Sequence, residues 1–262
     1  MKLIRNIAVA FSLYSQIPMP IFKWEEDDMK HNLVFLPWIG AVIGGLCALI
    51  TWLFKLAAND LQREIPLIAQ VAIYALIPLI VTGGFHVDGF MDVQDALKSY
   101  KPREVKLKIL KDPNIGAFAI INLLKYSLVW GAAVAIVLFR EYINLIYILF
   151  TTYFTARALT GIVSLTLKHA KKDGMLNMET NKSNRGDLIA LIIEFVIGCA
   201  VMLWFQWLAA AMVIAGILAF TAYYRHVTYK EFGGVTGDTS GYFLVMAEGI
   251  AAVLLAASTF II

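Results

Sequence analysis

Three aspartates stand at helical spacing in a chain that is otherwise strongly apolar. Asp88, Asp92 and Asp95 lie four and then three positions apart, so a helix would place them on one face, about a turn from each other. Like charges on one stripe repel, which makes the arrangement costly unless a cation lies among them. Carboxylate oxygens without nearby cysteine suit Mg²⁺ or Mn²⁺ better than zinc. Such an ion serves phosphoryl transfer or the ionisation of a diphosphate.

The residues around this stripe leave some roles open. If the aspartates were structural, one of them could cap a helix, but a cap does not account for three. Gly83 and Gly84 precede the stripe and would let the backbone leave a membrane or approach a ligand closely. We predict that His86 contacts the substrate, and the alternatives of a partner to the metal ligands, a proton carrier or an ordinary interfacial histidine stay open.

A second motif, Lys111-Asp112-Pro113-Asn114-Ile115-Gly116, follows a lysine-rich stretch. Proline followed by glycine predicts a turn that feeds a helix. The N–H groups at a helix start bind phosphate, and Lys111 adds positive charge. We therefore predict Lys111, Asn114 and Gly116 as substrate-binding residues. The alternative is that the lysines of this stretch only mark the inner side of the membrane.

A third motif lies near the C-terminus, where Phe232–Gly241 contains four glycines and Asp238. We predict a flexible loop in which Gly234, Thr236 and Gly237 contact the substrate. Asp238 either completes the metal site or accepts a proton.

Charged residues within apolar runs form the last candidate group. Arg157 lies in such a run, and its guanidinium suits bidentate binding of phosphate. A purely structural pair with Glu248 or Glu194 is the alternative. We take Asp88, Asp92, Asp238 and Arg157 as catalytic, and Asp88, Asp92, Asp95 and Asp238 as the metal ligands.

The composition identifies a membrane protein. Of the 262 residues, 60% are hydrophobic and 16% are charged, whereas soluble domains carry roughly 25% charged residues. The two cysteines fit no disulfide or metal pattern. We predict one all-α domain over 1–262, a polytopic helical bundle. Its seven spans are 33–54, 66–84, 115–139, 142–166, 188–204, 207–224 and 242–262.

The N-terminal 1–22 is too short for a span and lacks a signal-peptide cleavage site, so we expect a retained interfacial or re-entrant helix. Most Lys and Arg residues lie before the first span and in loops 85–114, 167–187 and 225–241. By the positive-inside rule, the N-terminus and the motif-bearing loops are cytoplasmic and the C-terminus is outside. The acidic cluster at 25–28 is expected to be a solvated surface.

Several segments of the chain together carry a specific family resemblance. Four segments, in this order, resemble the signatures of the cobalamin-5′-phosphate synthase family, which is the adenosylcobinamide-GDP ribazoletransferase family. These segments are 84–97, 111–118, Arg157-Ala158-Leu159 and 233–238. Residues 16–20 and 35–40 also resemble its opening segments. Phe85, Phe90 and Ser240 depart from the family pattern without touching a carboxylate.

The resemblance implies a Mg²⁺-dependent enzyme of the prokaryotic cytoplasmic membrane. Such an enzyme joins adenosylcobinamide-GDP to α-ribazole or α-ribazole 5′-phosphate and releases GMP, with the corrinoid as substrate and not cofactor. Metal bound by Asp88, Asp92 and Asp95 would neutralise the diphosphate, with Arg157 and Lys111 on phosphate oxygens. Association with other enzymes of late cobalamin assembly is a further expectation, and no nucleic acid partner is expected.

Three rival classes are weighed against this interpretation. A CDP-alcohol phosphotransferase needs an Ala-Arg pair downstream of Asp88-Gly89, which is absent at that spacing. An aspartate-rich prenyltransferase needs two aspartate motifs, and this chain has one. A transporter would explain the charges within spans, but it does not explain why carboxylates and glycines cluster in loops on one face. The chain also has no apparent internal repeat.

Overall fold

The computed structural model describes residues 2–23, 29–60, 62, 64–170 and 174–262. The described part is helical, with an isolated bridge between His169 and Val235 as its β pairing. The acidic cluster at 25–28 and three basic residues of the charge pattern (Arg63, Lys171 and Lys172) lie outside the described residues. The helices are α1 (Lys2–Tyr14), α2 (Asn32–Asp60), α3 (Leu67–Thr82), α4 (Phe85–Lys98), α5 (Arg103–Ile109), α6 (Ala117–Phe139), α7 (Ile143–Thr166), α8 (Met175–Lys182), α9 (Arg185–Phe205), α10 (Trp207–Glu231) and α11 (Gly237–Ser258).

Six of these helices are long and apolar enough to cross a membrane by themselves: α2, α6, α7, α9, α10 and α11. The polytopic helical architecture is thus confirmed. Within 188–224 the chain breaks at Gln206, as the predicted division requires. The Gln206 side chain accepts a hydrogen bond from the Ala209 N–H at 2.6 Å, which starts α10.

The predicted span 66–84 differs from the others. Its helix α3 has 16 residues, which is about 24 Å at 1.5 Å per residue and short of the roughly 30 Å hydrocarbon core. It counts toward a span only together with α4, from which it is bent by 96°. The bend falls at Gly83 and Gly84, whose φ values of 64° and 81° favour glycine. Because α4 carries four charged residues, we treat it as lying outside the spanning segments.

The centre of the bundle is α7, whose residues are mostly buried, whereas most residues of α6 and of α9 are not. Glycines let the neighbouring helices approach it closely. Gly40 and Gly44 of α2 lie against the backbone at Tyr153 and Phe150, where a Cβ on either glycine would collide with a carbonyl. Because this core is closely packed, the polar groups at the ends of α7 have fixed positions.

The predicted motifs all lie at one end of the bundle, which we call the motif end. Here α2, α6, α9 and α11 begin, and α3, α7 and α10 end. The N-terminal segment forms the predicted short helix, α1. It is fixed to the motif end by a bond from Gln16 N to Val81 O at 2.7 Å and by Tyr14, whose hydroxyl donates to Glu179 Oε1 at 2.6 Å.

Candidate active site

A cavity of about 300 Å³ opens at the motif end. Its walls come from the starts of α2, α4 and α11, the ends of α1 and α7, and α8 with the chain just before it. Half of the predicted site residues line it: His86, Asp88, Lys111, Thr236, Gly237 and Asp238. The fold therefore brings residues of all three motifs to one cleft.

Two glycines set how closely α4 and α11 pack. A Cβ on Gly89 would lie 2.9 Å from the carbonyl oxygen of Asp238, and a Cβ on Gly241 would lie 2.9 Å from that of His86. Both neighbours are backbone atoms, which cannot move aside easily. The absence of side chains at these positions therefore holds Asp88 and Asp238 at the same cavity.

Asp88, Asp92 and Asp238 form a group that we call the carboxylate cluster. Asp88 is exposed, and Asp92 and Asp238 are partly buried. Burial, together with the nearby charges of Asp88, Asp238 and Asp95, raises the pKa of Asp92 to about 7. The carboxylates are thus close enough to repel each other, which is the condition that a bound cation relieves.

The donor chemistry fits Mg²⁺, which usually binds one or two carboxylates together with substrate phosphates. As the side chains stand, no group of three or more His, Cys, Asp or Glu that could hold a metal is found in the described part of the chain. The predicted four-aspartate ligand set therefore stays a prediction.

Asp95 has a different position from the other stripe members. Its Oδ2 accepts from Gly116 N at 2.6 Å and its Oδ1 from Ala119 N at 2.9 Å, so both oxygens cap the start of α6. A Cβ on Gly116 would collide with this carboxylate. This corrects our expectation for Gly116, because the N–H that we assigned to a substrate phosphate is bound by the chain's own Asp95.

Lys111 and Asn114, the other two predicted residues of the second motif, have different surroundings. Lys111 is exposed and lines the cavity, where its charge can reach a ligand. Asn114 instead donates from its backbone N–H and its Nδ2 to Asp112 Oδ1, at 3.0 and 2.7 Å, and it does not line the cavity. The structure therefore brings Lys111 into the site and leaves Asn114 in a local turn.

The third motif is held in place, which corrects the expectation of a flexible loop. Val235 N donates to Lys168 O at 2.8 Å, and Ala170 N donates to Val235 O at 3.0 Å. Gly234, at φ 154°, lies against the backbone of 168–170, where a side chain would collide. Gly234 therefore has a structural position outside the cavity lining.

The last helix also begins earlier than the predicted 242. Thr236 and Thr239 form a reciprocal capping box, with Thr236 N donating to Thr239 Oγ1 at 2.8 Å. This box starts α11 at Gly237, so Asp238 lies in the first turn of a helix and not in a loop. A carboxylate there is favoured by the helix dipole.

Arg157 lies below the cavity and not in its wall. It is 2% exposed, and its Nη1 donates to Glu248 Oε1 at 2.7 Å and to Tyr153 O at 2.9 Å. Of the two structural partners that we considered, Glu248 is confirmed, whereas Glu194 accepts instead from Trp38 Nε1 at 2.8 Å. In this conformation Arg157 does not reach the cavity, so its predicted contact with phosphate has no support from its position.

His86 lies between the cavity and this buried pair. It is 7% exposed, and its Nδ1 has no hydrogen-bond partner among the described residues. Burial, with a smaller contribution from the charge of Arg157, lowers the pKa of His86 to about 3. A neutral imidazole is therefore available at the cavity floor.

Sequence reasoning missed several cavity residues. Thr160 and Ser164 of α7 line it, and Ser164 Oγ lies 3.2 Å from Ser240 Oγ. The sequence does contain a pattern that indicates Thr160 and Ser164, because positions 157, 160 and 164 form one polar stripe in a predicted span. Tyr14, Asn177 and Glu179 were also missed, and nothing in their local sequence marks them.

The fold and the cleft define a class: a polytopic helical membrane protein with carboxylates, a lysine and a neutral histidine gathered at one end of the bundle. A sequence model of the family described as cobalamin-5-phosphate synthase matches residues 6–257. The chain therefore belongs to the cobalamin-5-phosphate synthase family.

Curated relatives agree with this assignment over nearly their whole length. An adenosylcobinamide-GDP ribazoletransferase of Lachnoclostridium phytofermentans is 37% identical over 262 residues, which cover 97% of this chain and 95% of the relative. A protein of the same name from Clostridium botulinum (strain Alaska E43) is 31% identical, covering 94% and 95%. One from Listeria monocytogenes serotype 4a is 30% identical, covering 90% and 91%. No solved structure matches the chain significantly.

Proposed function

We propose that this protein is an adenosylcobinamide-GDP ribazoletransferase that forms adenosylcobalamin or its 5′-phosphate. The observation that carries the proposal is the juxtaposition of Asp88 and Asp238, from two helices, with Lys111 in one cavity. Relatives of this name span nearly the whole chain. Carboxylates and a lysine beside an open cleft are the groups that diphosphate chemistry requires.

The reaction balances as a transfer between two oxygens on phosphorus. A hydroxyl oxygen of α-ribazole, or of its 5′-phosphate, bonds to the phosphorus that carries the cobinamide arm. The bond from that phosphorus to the bridging oxygen breaks, and GMP leaves with the electron pair. The hydroxyl proton passes to a carboxylate of the cluster or to solvent.

The chain's residues supply binding and orientation for this step. Lys111 binds phosphate oxygens through its ammonium group. Neutral His86 offers a hydrogen bond at the cavity floor. We propose Asp88, Asp92 and Asp238 as ligands of Mg²⁺, with Mn²⁺ as the alternative metal, and Asp95 as their support through α6. When bound, the metal would neutralise charge on the diphosphate and on the departing GMP.

The corrinoid is too large for a cavity of about 300 Å³. We propose that only its phosphate arm enters, while the macrocycle lies across the motif end. A membrane-inserted bundle with its cleft at the motif end can receive such a substrate from the aqueous side. Association with other enzymes of late cobalamin assembly stays a prediction.

The proposed orientation places the motif end in the prokaryotic cytoplasm and the C-terminus outside, from the distribution of Lys and Arg. Asp112→Cys, at the motif end, should react with an impermeant thiol reagent only after the cytoplasmic membrane is opened. Glu141→Cys, in the turn after α6, should react in intact cells. The reverse pattern would overturn the orientation without touching the activity.

The activity is tested with detergent-solubilised protein, adenosylcobinamide-GDP, α-ribazole and Mg²⁺, followed by mass spectrometry for cobalamin and an assay for GMP. We expect both products from the wild type and from Asp60→Asn, which changes an exposed carboxylate at the far end of α2. Retained turnover in Asp88→Asn, Asp92→Asn and Asp238→Asn alike would remove the carboxylate cluster from the mechanism. Turnover of a CDP-alcohol or a prenyl diphosphate instead would favour a rival class.

A further inference from the structure

Glu179 lies in a part of the cavity wall to which the proposed transfer assigns no role. Glu179 of α8 lines the cavity although it is only 2% exposed. Its Oε1 accepts from the Tyr14 hydroxyl at 2.6 Å. Burial raises the pKa of Glu179, while the hydrogen bond from Tyr14 lowers it. A carboxylate is seldom buried without a reason, because its desolvation is costly.

The position of Glu179 is well supported. His169 connects α8 to the end of α7, with its Nε2 bonded to Ser164 O at 2.9 Å and its Nδ1 to Asn177 Oδ1 at 3.2 Å. No lysine or arginine in the described part of the chain forms an ion pair with Glu179. Among the described residues, the hydrogen bond from the neutral Tyr14 hydroxyl therefore holds the carboxylate at the cavity.

The surroundings of Glu179 are apolar and aromatic, in contrast to the carboxylate cluster. The Tyr14 and Phe85 rings meet edge to face, with centroids 6.4 Å apart. Leucines from α2 and α8 complete this surface, which we call the Tyr14–Glu179 wall: Tyr14, Leu33, Leu36, Phe85, Leu176 and Glu179. Phe85 precedes Asp88 by one helical turn on α4, so the wall adjoins the cluster.

We propose that the Tyr14–Glu179 wall is the subsite for the acceptor nucleoside, with the flat aromatic base on the apolar side chains and Glu179 accepting hydrogen bonds from ribose hydroxyls. This inference rests on the proposed function, which supplies the acceptor's chemical class. An ionised carboxylate only accepts hydrogen bonds. The dimethylbenzimidazole base of α-ribazole has no N–H to donate, so the donors that match Glu179 are the hydroxyls of the sugar.

The proposal is tested with Glu179→Gln, whose side-chain oxygen can still accept from Tyr14 while the second carboxylate oxygen is lost. Hydrogen bonds to a charged group are strong enough that we expect the KM for α-ribazole to rise by about 10-fold to 100-fold. The KM for adenosylcobinamide-GDP should change by less than about 2-fold. Glu64→Gln, which changes an exposed carboxylate before α3, is the matched control and should leave both values unchanged.

Direct binding separates this proposal from the proposed function. Equilibrium dialysis of the purified wild type without adenosylcobinamide-GDP should show weaker retention of free 5,6-dimethylbenzimidazole than of α-ribazole, and Glu179→Gln should reduce the difference. If Glu179→Gln fails to fold, Tyr14→Phe takes its place, because it removes the donor that positions Glu179 and keeps the ring.

The outcomes are distinct. A wild type that forms no cobalamin overturns the proposed function. A wild type that turns over, with an unchanged KM for α-ribazole in both Glu179→Gln and Tyr14→Phe, overturns the subsite alone. A rise in the KM for adenosylcobinamide-GDP only would place Glu179 with the donor and would also overturn the proposal.

Discussion

The carboxylate cluster lies at the motif end, whereas the Arg157–Glu248 pair lies deeper in the bundle, near the middle of α7 and α11, and the two place charge in opposite ways. In the cluster, Asp88 and Asp238 line an open cavity, and burial together with their charges raises the pKa of the neighbouring Asp92. The pair joins opposite charges inside the bundle, where the Arg157 side chain is 2% exposed and that of Glu248 is 12% exposed. One arrangement is unfavourable until a ligand arrives, and the other is satisfied without one.

The difference separates residues that react from residues that hold the fold. Functional sites commonly carry charges that the fold alone would not choose. A buried ion pair with good geometry is instead costly to break, because removing one partner leaves the other charged and desolvated. Changes in the pair should therefore reduce stability, and changes in the cluster should reduce activity.

The largest effect is expected for Arg157→Met. This change leaves Glu248 buried without its counter-charge, and breaking such a pair costs about 3–5 kcal/mol. We expect a large drop in the thermal unfolding midpoint of the detergent-solubilised protein and poor recovery of folded material. The double variant Arg157→Met with Glu248→Met should recover much of the loss. A stable Arg157→Met protein that has lost only activity would instead return Arg157 to the phosphate-binding role that its sequence suggested.

Asp92→Asn should give the opposite result. Removing one of several neighbouring like charges relieves repulsion, so the unfolding midpoint should stay unchanged or rise. Release of GMP should fall by more than about 100-fold, because even the partners of metal ligands are commonly worth 10–100-fold. Parallel measurement of melting and turnover checks both parts. A loss of activity that tracked a loss of stability would show that the cluster is structural after all.

Much of this contrast could be predicted from the sequence, and some could not. The helical stripe of aspartates, the break at Gln206 and the grouping of motifs at one end all follow from spacing and hydropathy. The capping role of Asp95 does not follow from them, because it depends on where the start of α6 lies relative to α4. The position of Glu179 depends on a bond to Tyr14, which is 165 positions away in the chain. Contacts between distant segments leave no local pattern.

A smaller effect is expected where the cluster depends on close packing. In Gly241→Ala, the new Cβ would lie 2.9 Å from the carbonyl oxygen of His86, so α4 and α11 must separate slightly. Overpacking of this kind costs about 1–3 kcal/mol, and the shift should also reduce turnover by moving Asp88 relative to Asp238. Gly45→Ala is the control, since a Cβ there meets nothing within 4 Å. Equal behaviour of the two variants would show that α4 and α11 do not need this contact.

The smallest effect is expected at Asp95, which lies on the same helix face as Asp88 and Asp92 but caps the start of α6. Asp95→Ala removes both acceptors at the start of α6, a loss comparable to that of a helix cap, about 1–2 kcal/mol. Amide hydrogen exchange should accelerate at Gly116 and Ala119, the two donors to Asp95. Asp112→Ala changes an exposed acid of the same segment, whose side chain accepts hydrogen bonds only from Asn114 among the described residues, and it should leave that exchange unchanged. If Asp95→Ala instead abolished turnover with unaltered exchange and melting, Asp95 would belong with Asp88 and Asp92 as a ligand, because only a direct part in the reaction would then explain the loss.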